Sequence, residues 1–258
     1  DHLTAAAIGT YSEWVAERPV DFEFNALKLL GLLSRRHQAK VHIVHITNRV
    51  VADVLPQLNT MGALLTGETC PHYLHFCAGE LQDADPRWKC SPPIRSRDHR
   101  EHLWVDLVHE ALQTIGSDHS PCPPEMKFID QKDFRRAWGG IASLELTLPV
   151  VWNGAQQRDI SVERLAEWLS AAPARLTGLD DRKGAIAPGL DADLAIWNPE
   201  AIWTVAQQDL HQRHKISAYD GQELRGRVER TYVRGQKVYD GGSFGPTPVG
   251  QLLTRRRT

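Results

Sequence analysis

The sequence predicts an α/β protein in which strands and helices alternate, followed by a smaller unit made of β-strands. Short apolar, β-branched runs alternate with longer stretches of helical spacing between residues 21 and 117. This alternation is typical of a parallel sheet, either doubly wound or closed into a barrel. After Gly184 the chain carries short apolar runs broken by glycine and proline, which indicate a β unit. The predicted domains are therefore residues 1–183 and residues 184–258.

Helical spacing of the apolar residues between Phe22 and Leu33 predicts the first helix, with Asp21 as its cap and Arg35–His37 at its C-terminal end. The β-branched run Val41–Ile46 predicts a buried strand. A second helix is predicted over residues 48–59, beginning near Asn48, and the apolar run Ala63–Thr66 predicts the next strand.

An irregular segment follows, and then a helix is predicted over residues 99–112 and a strand over Thr114–Ser117. Three more helices are predicted at residues 141–153, 161–170 and 171–178. The segments Gly184–Trp197 and Val228–Tyr239 predict the strands of the final β unit.

The composition is that of an ordinary globular protein. Of 258 residues, 41% are apolar and 24% charged, with a net charge of −2, which argues against a nucleic-acid partner. A run of eighteen apolar residues and a signal-like start are both absent, so the sequence predicts no membrane partner. The four cysteines lack C-x-x-C spacing and are expected to be free thiols in the cytoplasm. Because the chain begins with Asp1 rather than methionine, we expect a piece of a longer protein.

Asp118 is the first candidate for a chemical role. It directly follows the predicted strand Thr114–Ser117 and precedes a proline-rich loop. A carboxylate at a strand end, before a loop that forms neither helix nor sheet, is typical of catalytic groups in barrel enzymes. The alternative is that Asp118 is an ordinary cap or turn residue.

His45 is the second candidate, because it lies nearer the C-terminal end of its predicted strand than His42 does. Alternation along a strand sends these two histidines to opposite faces. An imidazole at His45 and a carboxylate at Asp118 could share a cation such as Zn²⁺. Two ligands do not make a catalytic zinc site, which has three protein ligands and a water. A core histidine remains the alternative.

Seven segments, read in order, resemble the successive motifs of the allantoinases, a family of the cyclic-amidohydrolase superfamily that also contains dihydroorotases and hydantoinases. The resemblance runs from about residue 14 to the C-terminus. Two segments favour allantoinases over their relatives: the Lys-Cys-Ser-Pro-Pro run from Lys89, and the Ser-Pro-Cys-Pro-Pro-Glu-Met-Lys segment that follows Asp118. The segments are Val41–Thr47, Glu68–Tyr73, Lys89–Arg95, Gly116–Lys127, Trp138–Ile141, Gly189–Leu194 and Arg213–Ser217.

The resemblance implies two divalent metal ions, expected to be Zn²⁺, at the C-terminal mouth of a (β/α)8 barrel. In that family the ligands are a His-x-His pair, a carboxylated lysine, two further histidines and an aspartate. His45 matches the second of the later histidines, and Asp118 matches the aspartate. Ser91 matches a position whose backbone holds the cyclic substrate, and Gly139 and Gly140 fall near the opposite rim.

The chain departs from this pattern because it contains no His-x-His pair and nothing before His45 that resembles the strands carrying the other ligands. It therefore holds two of the six expected ligands. The fold class implied is the C-terminal part of a (β/α)8, TIM-like barrel with a small appended β-sandwich segment. We expect such a chain to be inactive alone.

The resemblance implies hydrolysis of the cyclic amide of allantoin to allantoate, with Asp118 as metal ligand and general base, in a family that often forms homo-oligomers. One alternative changes the substrate to that of a hydantoinase, dihydropyrimidinase or dihydroorotase. Another is a metal-free, non-catalytic homologue. A third is a fragment that does not fold stably, because half a barrel leaves one sheet face unpacked.

The remaining histidines and cysteines of the matched motifs receive other interpretations. His72 and His75 could be substitute ligands, but a structural or substrate-proximal role is favoured, since a related branch lacks a histidine at the first position. Cys90 and Cys122 flank the expected site. Nucleophilic chemistry is disfavoured for both, because no partner base accompanies either residue.

Overall fold

The computed structural model describes residues 9–82 and 85–254. Three parallel strands, in the order β1-β2-β3, form the first sheet: β1 (Lys40–Ile43), β2 (Leu64–Thr69) and β3 (Thr114–Ile115). Helices precede and separate these strands. They are α1 (Tyr11–Ala16), α2 (Val20–His37), α3 (Arg49–Thr60), α4 (Pro71–His75) and α5 (Arg97–Val108).

The chain after β3 is first helical and then forms an antiparallel sheet. The helices are α6 (Pro124–Lys127), α7 (Thr147–Gln156), α8 (Val162–Ala166) and α9 (Ala172–Thr177), with a π-helical turn at Glu167–Ala171. The strands are β4 (Leu194–Thr204), β5 (Glu223–Val233), β6 (Gln236–Asp240) and β7 (Ser243–Phe244), paired in that order. The described residues form one antiparallel sheet here, so the second layer of the predicted β-sandwich stays a prediction.

The two faces of β2 have different partners. Leu65, Gly67 and Thr69 are buried, and a Cβ added at Gly67 would lie 2.8 Å from the side chain of Leu55 in α3. The opposite face carries Thr66 and Glu68, which are only partly buried. Helix packing therefore covers one face of the sheet, while the other face presents polar side chains.

Two sequence predictions about element boundaries are wrong by a few residues. Helix α2 begins at Val20 with Pro19 as its N-cap residue, so Asp21 lies in the first turn rather than at the cap. Its carboxylate still favours the helix, because anions stabilise the positive N-terminal end. Strand β1 ends at Ile43, short of the predicted Ile46, because His45 has a left-handed φ of 46° that a strand cannot contain.

Later boundaries shift for similar reasons. β3 stops at Ile115, and the chain then leaves the strand conformation, with a φ of 43° at Asp118. Helix α5 ends at Val108, four residues before the predicted end, and Glu110 has a φ of 64°. The helix predicted from residue 141 begins at Thr147 after a 3₁₀ turn, and residues 184–193 contain no strand.

The prediction of a helix beginning near Asn48 is confirmed. The side chain of Asn48 accepts a hydrogen bond from the backbone N–H of Val51 at 3.1 Å, as an N-cap residue does. Asn48 also belongs to a buried network around Glu23, which accepts hydrogen bonds from Asn48, Thr47 and Arg95 at 2.7–2.9 Å. This network fixes the loop after β1 to the segment that contains Ser91.

The described residues fall into two compact units, and the predicted domain boundary between residues 183 and 184 stays a prediction. One unit comprises the described part of Asp1–Thr147 together with Val205–Gly221, and the other comprises Leu148–Thr204 with the described part of Gln222–Thr258. The chain thus returns to the first unit after β4. Among the described residues, no helix is both long enough and apolar enough to span a bilayer.

Candidate metal and substrate site

The candidate site lies where the three parallel strands end. His45 follows β1, Cys70 follows β2, and Asp118 follows β3. Parallel strands bring their C-terminal ends to one edge of a sheet, where α/β proteins place their ligand sites. His45 and Asp118 both have positive φ, a conformation uncommon outside glycine and frequent at functional sites.

Three side chains at this edge are close enough to share a cation. The nearest ligand atoms of Cys70, His72 and Asp118 all lie within 4.8 Å of one another. Cys70 and His72 are buried, whereas Asp118 is exposed. Sulfur, imidazole nitrogen and carboxylate oxygen together are donors that zinc accepts. These residues therefore fit a divalent metal ion.

Burial sets the protonation states of this group. The pKa of His72 is lowered to about 3 by burial and by the nearby His45, so its ring is neutral. The pKa of the Cys70 thiol is raised well above its ordinary value by burial, then by the negative charges of Asp118 and Glu68. Without a metal, these two potential ligands are an uncharged imidazole and a thiol.

Asp118 responds to the same surroundings. Removal of water by neighbouring atoms raises the pKa of Asp118, His45 lowers it, and Glu68 raises it further. The structure thus brings His45 and Asp118, the two metal ligands predicted from the sequence, into electrostatic interaction. Their roles as ligands stay predictions.

His42, the other histidine near β1, has protein partners on both sides of its ring. Its Nδ1 is hydrogen-bonded to Thr66 Oγ1 at 2.8 Å, and its Nε2 to Glu68 Oε2 at 3.2 Å. Thr114 Oγ1 donates a second hydrogen bond to Glu68 Oε2 at 3.3 Å. This ladder connects all three strands on the polar face of the sheet and holds Glu68 near Asp118.

The residues predicted to bind substrate lie on a second cluster of loops. Ser91 and Gly139 are exposed, and a Cβ added at Gly139 would lie 3.9 Å from Ser91 Oγ. Gly140 is buried against Ser120: an added Cβ would lie 2.2 Å from Ser120 Oγ and 2.9 Å from its backbone oxygen. The structure thus brings Ser91 beside Gly139, and Ser120 beside Gly140.

Two buried lysines bind backbone oxygens of the segment 134–140, which contains this glycine pair, and their role is not apparent from the sequence. The ammonium of Lys127 donates to the backbone oxygens of Lys89, Trp138 and Gly140 at 2.7–3.2 Å. The ammonium of Lys89 donates to the backbone oxygens of Phe134, Arg135 and Ala137. Burial lowers the pKa of each to about 8. In the sequence, the only indication of a role for these lysines is that each lies in a matched motif, Lys89–Arg95 or Gly116–Lys127.

The segment Val205–Gly221 also belongs to this unit. Trp88 Nε1 donates to the Ala218 backbone oxygen at 3.2 Å, and the His211 backbone N–H donates to Glu145 at 2.7 Å. A cavity is lined by residues of three matched motifs, among them Ser120, Gly140 and His214. The motif Arg213–Ser217 therefore lies near the same loops as Gly140, although it is distant in sequence.

The edge of a parallel sheet with donors that fit a divalent cation is typical of a metal-dependent hydrolase. The chain belongs to the amidohydrolase family, whose model matches residues 10–238. It is 38% identical to the allantoinase of Streptomyces avermitilis over 245 residues, which cover 95% of this chain and 54% of that protein. It is 40% identical to the allantoinase of Rubrobacter xylanophilus over 256 residues, covering 98% of this chain and 56% of that protein.

Solved structures of the same superfamily are similar as well. The L-hydantoinase (dihydropyrimidinase) from Arthrobacter aurescens superposes with a TM-score of 0.87 at 30% identity, over 92% of this chain and 52% of that one. A D-hydantoinase gives the same TM-score at 28% identity. The chain spans about half the length of the curated relatives it matches.

Proposed function

We propose that this chain supplies the C-terminal half of an enzyme that hydrolyses the cyclic amide of allantoin to allantoate. The observation that carries the proposal is the meeting of Asp118, His45 and two further donors at the ends of three parallel strands. Identities of 38% and 40% to allantoinases over nearly the whole chain support allantoin as the substrate.

The proposed metal centre is binuclear, with zinc the expected ion, and His45 and Asp118 would hold it together with ligands from outside this chain. When bound, such ions lower the pKa of water and polarise an amide carbonyl. Asp118 acts as the general base: its carboxylate takes a proton from the attacking water and passes it to the departing ring nitrogen. A carboxyl pKa raised by desolvation suits this step, because proton transfer is most efficient when the pKa approaches the working pH.

Ser91, Gly139 and Gly140 would position the planar ring. Ser91 and Gly139 are exposed neighbours, so backbone groups on both loops can reach a small ligand placed between them. The lysine contacts at Trp138 and Gly140 keep one of these loops rigid. Fixed loops contribute to rate by holding the substrate in a reactive orientation.

A chimera tests this proposal. The chain is joined to the part of the Streptomyces avermitilis allantoinase that precedes the matched region, and allantoin, hydantoin and dihydroorotate are assayed with added Zn²⁺. We expect allantoin to be hydrolysed fastest. Replacing Asp118 with Asn should lower kcat by about 10²–10⁴-fold while the protein stays folded. Asp130→Asn, at an exposed turn, is the matched control and should keep the parent rate.

Two results would count against the proposal. A folded, metal-loaded chimera that leaves allantoin intact would refute the substrate, and appreciable kcat in the Asp118→Asn variant would remove Asp118 from the base role. Preference for hydantoin would instead favour the second candidate function, a hydantoinase, which the similarity to solved hydantoinases supports. The chain alone is expected to show no turnover.

The proposed setting is a homo-oligomer in the cytoplasm. All four cysteines are buried and free, which suits a reducing compartment.

A further inference from the structure

We propose that Cys70, His72 and Asp118 form a binding site for one zinc-like divalent cation, which this chain can fill without any other ligand-bearing segment. The site shares Asp118 with the centre implied by the family resemblance but replaces His45 with Cys70 and His72. It does not depend on which reaction the enzyme catalyses.

Strand pairing explains why these residues meet. The register pairs Glu68 with Thr114 and Thr69 with Ile115, and the N–H of Gly116 donates to the Thr69 backbone oxygen at 3.0 Å. Continuing this register by one residue sets Cys70 level with Gly116. His72 and Asp118 are each two residues further along. The chain turns at both places, because Pro71 begins α4 after Cys70 and Asp118 has a φ of 43°.

His72 provides the independent evidence that a ligand belongs here. Its side chain is fully buried, yet neither ring nitrogen has a hydrogen-bond partner among the described residues. Buried polar groups nearly always have a hydrogen-bond partner, because water cannot reach them to form the missing hydrogen bond. A cation bound to one ring nitrogen would supply the missing partner.

The donor set selects the class of cation. A thiolate and an imidazole favour zinc and its soft or borderline neighbours over Mg²⁺ and Ca²⁺, which prefer oxygen ligands. As the cation binds, the Cys70 thiol loses its proton to solvent and a sulfur–metal bond replaces the S–H bond. The thiolate and the Asp118 carboxylate then balance the two positive charges of the ion.

The geometry requires only a small adjustment. Zinc ligands at about 2.0–2.3 Å from the ion lie roughly 3.3–3.8 Å from one another in a tetrahedron. The donors are within 4.8 Å of one another, so the group must contract by about 1 Å. Asp118 is the exposed member of the group, so we expect its side chain to move toward the two buried ligands. Three protein ligands leave the fourth position to water.

The test uses the 258-residue chain and the metal alone. Equilibrium dialysis against Zn²⁺ is expected to give one tightly bound ion per chain. The Co²⁺-loaded protein should show a thiolate-to-cobalt charge-transfer band. Cys70→Ser should abolish this band, and His72→Phe should weaken Zn²⁺ binding more than about tenfold, which is the lower limit for losing even an outer-shell partner.

Cys77→Ser is the matched control: it removes another buried free thiol outside the group and should leave the band and the affinity unchanged. His45→Ala distinguishes the two ligand sets. Because the proposed site does not include His45, this variant should still bind one Zn²⁺ ion.

The proposal is overturned if the folded wild-type chain binds no Zn²⁺, or if its Co²⁺ form lacks a sulfur band. Both readouts use the wild-type protein and hold even if a variant fails to fold. Binding lost in His45→Ala but kept in Cys70→Ser would also overturn it and would place the ion on the family ligands instead. Hydrolysis of allantoin by the chimera is a separate readout, so either proposal can fail without the other.

Discussion

Single residues decide the shape of the candidate site. His45 and Asp118, the two predicted metal ligands, lie on backbone with positive φ, where glycine is the usual residue. Such conformations cost about 1–3 kcal/mol each and persist where surrounding structure enforces them. At this edge the enforcing contacts include the parallel strands and the network around Glu23. The bend after each strand is what turns these two side chains away from the regular alternation of a β-strand.

Gly140 is a residue where the backbone itself must approach a neighbour. An alanine Cβ there would lie 2.2 Å from Ser120 Oγ and 2.9 Å from the Ser120 backbone oxygen. Because the backbone oxygen cannot move aside, Gly140→Ala is expected to lower the free energy of unfolding by about 1–3 kcal/mol. Urea denaturation measures this change. Gly139→Ala, with its nearest neighbour 3.9 Å away, should stay within about 0.5 kcal/mol of wild type, and equal effects would contradict the explanation.

His72 should make the metal-free protein sensitive to acid. Burial lowers its folded-state pKa to about 3, against 6.5 for an unperturbed histidine. Between these values the unfolded chain binds a proton that the folded chain does not. The stability contributed by neutral His72 is therefore present above pH 6.5 and is lost as the pH falls toward 3, at about 1.4 kcal/mol per pH unit.

Urea denaturation in EDTA, at pH 6.5 and pH 4.5, tests this sign. The wild-type chain should lose about 2–3 kcal/mol more than His72→Phe over this interval. His37→Phe changes an exposed histidine at the end of α2 and should keep the wild-type pH dependence. A wild-type loss no larger than that of His72→Phe would show that His72 gains a proton in the folded state.

At the scale of elements, the N-cap residue of α3, Asn48, also belongs to the hydrogen-bond network around Glu23. Asn48 accepts from the Val51 N–H at 3.1 Å and also donates to Glu23 at 2.9 Å. Asn48→Ala should lower the free energy of unfolding by about 1–2 kcal/mol, because it removes the cap and leaves Glu23 with one donor fewer. Ser96→Ala at the N-terminus of α5 is the control, since Ser96 makes no side-chain cap bond.

Chemical denaturation of both variants measures the difference between the two caps. The control should change stability by no more than about 0.5 kcal/mol. If Ser96→Ala is as destabilising as Asn48→Ala, the hydrogen bonds of Asn48 are not the cause.

At the scale of the whole molecule, the exposed face of helix α2 bears on the predicted homo-oligomer. Its buried residues Leu27, Gly31 and Ser34 form one face. On the opposite face, Phe22, Leu29 and Leu33 share a stripe at helical spacing, with exposures of 64%, 57% and 39%. An exposed apolar stripe of this kind marks an interaction surface. We expect copies of the chain to associate through it, as a homo-oligomer would.

Sedimentation velocity at several protein concentrations checks this expectation. The double variant Leu29→Lys and Leu33→Lys should shift the distribution toward monomer, because buried lysine ammonium groups cost solvation energy. Ile186→Lys, at a residue 90% exposed in the other unit, should leave association unchanged. A wild-type chain that stays monomeric throughout would contradict the expectation.

Sequence alone determined what depends on near neighbours along the chain. Periodicity predicted the helices and strands, and Asn48 indicated the start of α3. The matched motifs indicated the amidohydrolase family. Side chains at strand ends, such as His45 and Asp118, could also be singled out, since position in a strand is a local property. The predicted ends of β1 and β3 were wrong because the backbone bends there, and a positive φ at a histidine or aspartate cannot be recognised from the sequence.

Only the tertiary structure decided which distant residues meet. The sequence favours a structural or substrate-proximal role for His72. Strand register brings His72 and Cys70 to Asp118, and among the described residues the ring nitrogens of His72 have no hydrogen-bond partner. Two other features were not apparent from the sequence either. They are the contacts of Lys89 and Lys127 with the segment 134–140 and the return of Val205–Gly221 to the first unit. These contacts arise from strand pairing and loop packing between residues 11 to 130 positions apart, whereas periodicity along the chain reports only the neighbours within one helix or strand.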